Sequence, residues 1–396
     1  MDVFRLRDRL IEDYSSFVTS FININDGRIA EYVQKELAGG VLWPEPIVQL
    51  NPCFEPGECI DDMVKAGTIH PECSKIFRIK AAPKDSGKPL RLHKHQAEAV
   101  KAAVTRDNYV LTTGTGSGKS LAYIIPIVDH VLRNGPGKGI QAIIVYPMNA
   151  LANSQLGELE KFLNYGYPDE KGPVTFARYT GQESEEQKNQ IRAEPPDILL
   201  TNYVMLELIL TRPEERSLVR AGRNLRFLVL DELHTYRGRQ GADVAMLVRR
   251  ARNAFSGEQM QCVGTSATLA SEGTWQEQQT AVAEAATLLF GSTVKRVNII
   301  GESLRRATTE LDTTSPDFLQ RLAARLTEAS PPSDKLTEFV QDPLAIWVEN
   351  TFGIRREPKT DHLVRQVPRA IRGEFGAATE LSKATGVSRD LCMATI

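Results

Sequence analysis

The chain has little that would mark it for export or for a membrane. Only five cysteines occur in 396 residues, at positions 53, 59, 73, 262 and 392. An odd, scattered set builds no disulfide framework and suits a reducing compartment. The start, Met1-Asp2-Val3-Phe4-Arg5-Leu6-Arg7-Asp8, is charged and has no uninterrupted apolar region, which argues against a signal peptide. No apolar run approaches the length of a membrane span. Together these absences point to a cytoplasmic protein. Charge of one sign is also missing: 48 Lys and Arg against 50 Asp and Glu leave a net −2. Any nucleic-acid track must therefore be local. A recognised metal-finger spacing is missing too. Cys53, Cys59, His70 and Cys73 are suitable zinc ligands, but C-x5-C-x10-H-x2-C matches no common finger. Unligated cysteines are the expectation, with His70-Pro71-Glu72-Cys73 capping a short helix.

What is present divides into three stretches. Residues 1–90 are an N-terminal arm. Its first 38 residues repeat Phe4, Leu6, Leu10, Tyr14 and Phe17, then Ile29, Tyr32, Val33 and Leu37, at helical spacing. Residues 41–90 are rich in proline and glycine and read as irregular. Residues 91–303 alternate strands and helices. Strand candidates are Tyr109–Leu111, Ile140–Tyr146, Val174–Tyr179, Ile198–Thr201, Phe227–Leu230, Cys262–Thr265 and Val294–Ile300. Near-continuous apolar strands separated by helices predict an α/β fold, a mostly parallel sheet with helices on both faces. Residues 304–396 read as a helical region broken by Pro331-Pro332 and Pro358.

Thr113-Gly114-Thr115-Gly116-Ser117-Gly118-Lys119-Ser120 lies between the first strand and an apolar helical run, Leu121 to Val131. Strand, glycine-rich turn and helix are what a phosphate-binding loop requires. Backbone N–H groups would cradle the β- and γ-phosphates of ATP at the positive end of the helix. Lys119 would reach phosphate oxygens and Ser120 would ligate Mg²⁺. Asp231-Glu232-Leu233-His234 closes the strand Phe227–Leu230. Asp231 would hold Mg²⁺, and Glu232 would orient and deprotonate the attacking water. Thr265-Ser266-Ala267-Thr268 follows the next strand, where Ser266 and Thr268 could bond to the acidic pair and to a neighbouring lobe. Gln96, 23 residues before Lys119, carries an amide suited to the edge of adenine. Pro147 and Asn149 follow the second strand, and Thr201 and Asn202 the fourth. Those junctions could hold nucleic-acid phosphates, or the side chains could simply cap helices.

These motifs, in this order, resemble superfamily 2 DEAD/DEAH-box (DExH) helicases over about 180 residues, from Gln96 to Thr268. The extended stretch Asp231 to Gly241 is similar to DNA helicases of the YprA/MrfA type and to large helicases of antiphage defence systems. The resemblance implies RecA-like lobes with ATP and Mg²⁺ in the cleft and single-stranded DNA across both. It further implies ATP-driven translocation or strand separation, adenine reading by Gln96, and coupling through His234. Asp-Glu-Leu-His rather than Asp-Glu-Ala-Asp argues against an RNA helicase.

The sequence departs from that family after Thr268. Residues 271–396 do not read as a second lobe bearing arginine fingers, so one is expected in cis or from a partner. Ala377–Ile396 reads as helix, turn, helix; it is either a DNA-reading motif or an αα-hairpin. Arg237, Arg239, Arg249, Arg250 and Arg252 form a local basic group. Phosphate contact and a solvated or salt-bridged helix face stand equal for it.

Overall fold

The computed structural model describes residues 3–21, 24–39, 43, 45–114, 116–255, 260–267, 274–328, 330–357 and 362–396. The chain forms two compact units, residues 54–305 and residues 1–53 together with 306–396.

The first unit is built on seven parallel strands: β1 Asn108–Thr112, β2 Ala142–Tyr146, β3 Phe176–Arg178, β4 Ile198–Asn202, β5 Phe227–Leu230, β6 Gln261–Ser266 and β7 Val294–Gly301. Their order is β7-β1-β6-β5-β2-β4-β3, and every neighbouring pair is parallel. All seven expected strands are found in one sheet. The helices are α1 Lys94–Val104, α2 Leu121–Asn134, α3 Asn149–Leu163, α4 Glu185–Ala193, α5 Tyr203–Thr211, α6 Arg216–Ala221, α7 Gly238–Phe255 and α8 Trp275–Phe290.

Alternation along each strand explains the two layers of helices. Tyr109, Leu111, Ile144 and Val229 pack into one apolar cluster with α1, α2 and α3. Val110, Ile143, Leu228 and Leu230 pack into another with α5, α7 and α8. Strands buried on both faces carry no polar alternation, which is why they appear in the sequence as unbroken apolar runs.

Pro126 lies inside α2 and has no N–H to give. The carbonyl it leaves, that of Ala122, accepts the hydroxyl of fully buried Tyr109 at 3.0 Å. A strand is thereby tied to the helix that follows the phosphate loop. Tyr109→Phe should orphan that carbonyl and lower stability by about 1–3 kcal/mol. Urea melts of the two proteins check this; equal midpoints would contradict it.

In the other unit, helix Pro316–Glu328 and helices Ala377–Thr385 and Arg389–Thr395 share an apolar cluster containing Phe318, Trp347, Leu381 and Cys392. Gly386 turns between the last two helices at φ 73°, and Ser388 caps the second. A short antiparallel pair, Ile354–Arg356 with Leu363–Arg365, was not expected. Its strands are three residues long and arginine-rich, so no hydrophobic pattern announces them.

Near the start of the first unit, His70 does help the short helix Cys73–Ile76. Its Nδ1 accepts the Glu72 N–H at 3.1 Å, and its carbonyl accepts that of Cys73. Burial raises the Cys73 thiol well above its ordinary range.

Candidate ATP and nucleic-acid site

The register of the parallel sheet fixes which motifs meet. Gly301, Thr112 and Ser266 lie side by side, and Leu230 lies beside Gly264 and Val145. The carboxyl ends of β7, β1, β6, β5 and β2 therefore form one edge, where open α/β sheets place their ligands.

The phosphate loop is shaped by its own side chains and by α1. Thr113 donates its N–H to Ser266 O at 3.2 Å, and its hydroxyl pairs with Ser117 Oγ at 2.7 Å. Both side chains are buried. A threonine in the usual glycine position thus supplies a clip across the turn, so Thr113 and Ser117 shape the loop with their side chains. Gly116 and Gly118 adopt positive φ, 77° and 68°. A Cβ on Gly118 would stand 2.5 Å from Gln96 Nε2.

Gln96 is itself buried and bonded within the protein. Its Oε1 accepts the His93 N–H at 2.8 Å, and its Nε2 donates to Gly118 O at 2.8 Å. The amide expected to read adenine therefore grips the phosphate loop. His95 joins it: a carbonyl can only accept, so Nε2 carries the proton given to Ser117 O at 2.9 Å. Burial lowers the His95 pKa and favours this neutral form. Neither His95 nor Glu302 was expected here. Glu302, just past β7, accepts the Gly114 N–H at 3.1 Å. Its place at the end of a parallel strand was the available signal.

Lys119 and the acidic strand tip meet. Lys119 Nζ lies 3.2 Å from Glu232 Oε1. Asp231 accepts the Thr265 hydroxyl, and the Glu232 N–H donates to the same oxygen at 3.1 Å. Thr265, one residue before the expected Ser266, thus ties the Asp231 carboxylate to the Glu232 backbone. Glu232 sits at φ 53° and ψ 58°, a left-handed conformation costing a non-glycine residue about 1–3 kcal/mol. Its Oε2 is buried, 3.3 Å from His234 Nδ1, and makes no hydrogen bond among the described residues. His234 Nδ1 also lies 3.3 Å from Ser266 Oγ, so it links the acidic pair to the strand beside it. Two expected residues, Thr115 and Thr268, lie outside the described residues.

Burial, and then the neighbouring Glu232, raise the Asp231 pKa; Thr265 and Lys119 work against that shift. A raised folded-state pKa means that stability falls as pH rises through it. Asp231→Asn cannot ionise, so without nucleotide it should melt higher than the parent near pH 8. The gap should close toward acid, where the parent is protonated too. Thermal melts across that range check this; a gap that widens toward acid would contradict it.

At the second motif edge one expectation is corrected. Thr201 is fully buried and its hydroxyl donates to Tyr179 O at 2.6 Å, which leaves its side chain no access to a phosphate. Asn202 caps α5 by accepting the Met205 N–H at 2.7 Å, and its amide donates to Asn149 Oδ1 at 2.7 Å. The two asparagines thus join two strand ends. Pro147 stands next to exposed Met148 on the same edge. Among the basic group, Arg252 donates to Phe290 O and Ser292 Oγ, and Arg250 pairs with Glu207. Those two serve packing between helices.

Residues 93–274 match the DEAD/DEAH box helicase family. Druantia protein DruE of Escherichia coli is 26% identical over 66% of this chain and 20% of its own length. The uncharacterized ATP-dependent helicase YprA of Bacillus subtilis is 32% identical over 51% of this chain and 26% of its own. The chain therefore spans about a fifth to a quarter of these relatives. The solved structure of the DEAD-box helicase Mss116 bound to ssRNA and UDP-BeF superposes with a TM-score of 0.50 at 17% identity, covering 69% of this chain and 52% of that one. At that identity the likeness speaks for the fold alone. The family match, the sheet order and the meeting of a phosphate loop with an acidic strand tip agree that residues 93–274 form a DEAD/DEAH box helicase domain.

Proposed function

We propose that residues 91–303 are the ATP-binding motor lobe of an ATP-dependent DNA helicase or translocase. A second RecA-like lobe, in cis or from a partner, would complete it. The 3.2 Å approach of Lys119 to Glu232 carries this reading, because it joins a phosphate-binding cation to a general base at one sheet edge. Lys119 binds phosphate oxygens. Glu232 orients the attacking water and takes its proton at the buried Oε2, which has no competing hydrogen bond among the described residues. Thr265 bonds the Asp231 carboxylate and the Glu232 backbone N–H, and His234 with Ser266 relays the position of the acidic pair along the edge.

The donor set fits Mg²⁺. Ser120 and Asp231 offer hard oxygens, and a buried carboxylate beside a second one favours a nearby cation. When bound, the metal neutralises charge on the phosphate oxygens. Gln96 holds the phosphate loop and is released to adenine only if its bond to Gly118 O opens. A place in antiphage defence or DNA repair, in the cytoplasm, accords with the Asp231 to Gly241 segment and the similarity to DruE. No helix among the described residues is long and apolar enough to cross a membrane.

The substrate class is tested by competing unlabelled single-stranded DNA and RNA of equal length against labelled DNA. DNA should compete at least about tenfold better, the size of one bidentate or stacking contact. Preference for RNA would overturn the DNA assignment.

A further inference from the structure

The N-terminal arm carries an apolar face that the fold leaves uncovered. Helix Val3–Ser20 sets Leu6, Leu10, Tyr14 and Phe17 along one stripe, and Phe21 continues it just past the last turn. At 3.6 residues per turn these five fall within an arc of about 80°. They are 41% to 74% exposed. A contiguous group of large apolar side chains in water marks an interaction surface. Phe17 and Phe21 pack edge-on at 5.0 Å. Trp43 widens the patch: it is half exposed and stands edge-on to Tyr14 at 6.4 Å.

The segment has little intrinsic reason to be a helix. Val3, Ile11, Val18 and Thr19 are β-branched, and Ser15, Ser16 and Ser20 offer the backbone competing hydrogen bonds. Helices of this length take most of their stability from packing an apolar face. None of the three apolar clusters among the described residues includes a side chain from this helix. The stripe is therefore the face with most to bury.

Charge identifies what covers it. Arg9 and Asp13 are exposed and lie one turn apart on the same flank of the stripe. Neither side chain is ion-paired among the described residues. When two copies of a helix meet antiparallel about a two-fold axis, the same flank of each comes together and the order of residues is reversed. With the axis between Ile11 and Glu12, Leu6 of one copy lies opposite Phe17 of the other, and Leu10 opposite Tyr14. Arg9 then lies opposite Asp13, and the symmetry makes that ion pair twice. Glu12 falls on the far side of the helix, so no like charges meet at the axis. A parallel pair would instead bring the Arg9 flank against the flank that holds Arg7.

We propose that helix Val3–Ser20 is a homodimer interface, pairing antiparallel with the same helix of a second copy of this chain through the apolar stripe and reciprocal Arg9–Asp13 ion pairs. The stripe supplies the affinity, and the ion pairs fix the direction and register.

Sedimentation velocity of the full chain over about 1–200 µM tests this, the range suited to a small helix–helix interface. The parent should pass from monomer to dimer. Arg9→Asp and Asp13→Arg change exposed side chains only, so both should fold. Each alone should dimerise at least about tenfold more weakly, because like charges then face each other twice. An equimolar mixture of the two variants should recover the parental association, since each supplies the charge that the other lacks. A monomer at every concentration overturns the proposal and assigns the stripe to a different partner or to a further part of the same polypeptide. So does dimerisation unchanged in both variants, which would place the contact on another surface. A mixture that associates no better than either variant alone overturns it too.

Discussion

Glu232→Gln is expected to cut ATP hydrolysis by about 10²–10⁴ in the assembled motor, the range for loss of a general base, while ATP binding tightens. The two effects have one cause. The ammonium of Lys119 is held 3.2 Å from the Glu232 carboxylate, the same cation that a triphosphate needs. A neutral amide keeps the shape of the site but releases the lysine, so the competing ion pair is lost along with the base. Unwinding should stop with turnover, because a motor uses hydrolysis to complete each cycle. Rapid-quench kinetics and equilibrium nucleotide binding on the same variant separate the two effects. ATP-dependent binding of nucleic acid or a partner that survives the loss of hydrolysis, with no unwinding in the parent either, would instead favour an ATP-gated binding module that does no mechanical work.

The 396-residue chain by itself should bind ATP and turn it over slowly, with little stimulation by DNA. Among the described residues there is one large sheet, with seven strands. The remaining strands form two-stranded pairs, and the C-terminal residues pack as short helices around Trp347 and Leu381. A transition-state arginine from a second lobe is typically worth about 10³–10⁵ in rate. Supplying such a lobe should therefore raise turnover by at least about a thousandfold. Brisk DNA-stimulated hydrolysis by the chain alone would show that it contributes that cation itself.

The phosphate loop and the acidic strand tip were legible because each is a short local pattern flanked by buried strands. Burial on both faces made those strands apolar throughout, so the sheet was legible with them. What escaped depends on register, which no short segment records. Thr265 rather than Ser266 bonds the Asp231 carboxylate and the Glu232 backbone N–H, a difference of one residue that flips the side chain to the other face. Glu302 reaches the loop only because β7 pairs with β1. Thr201 looked like a contact residue and is buried, since β3 and the residues after it lie beside β4. His95 and Gln96 hold the loop from a helix that precedes it by about 20 residues.

The central claim is that Lys119 and the Asp231–Glu232 tip grip one triphosphate. Equilibrium titration of a fluorescent ATP analogue with Mg²⁺ into the parent and Lys119→Ala tests it most directly. The parent should bind saturably, and Lys119→Ala at least about tenfold more weakly, as expected for loss of a charge-assisted phosphate contact. Equal affinity in the two proteins would contradict the account.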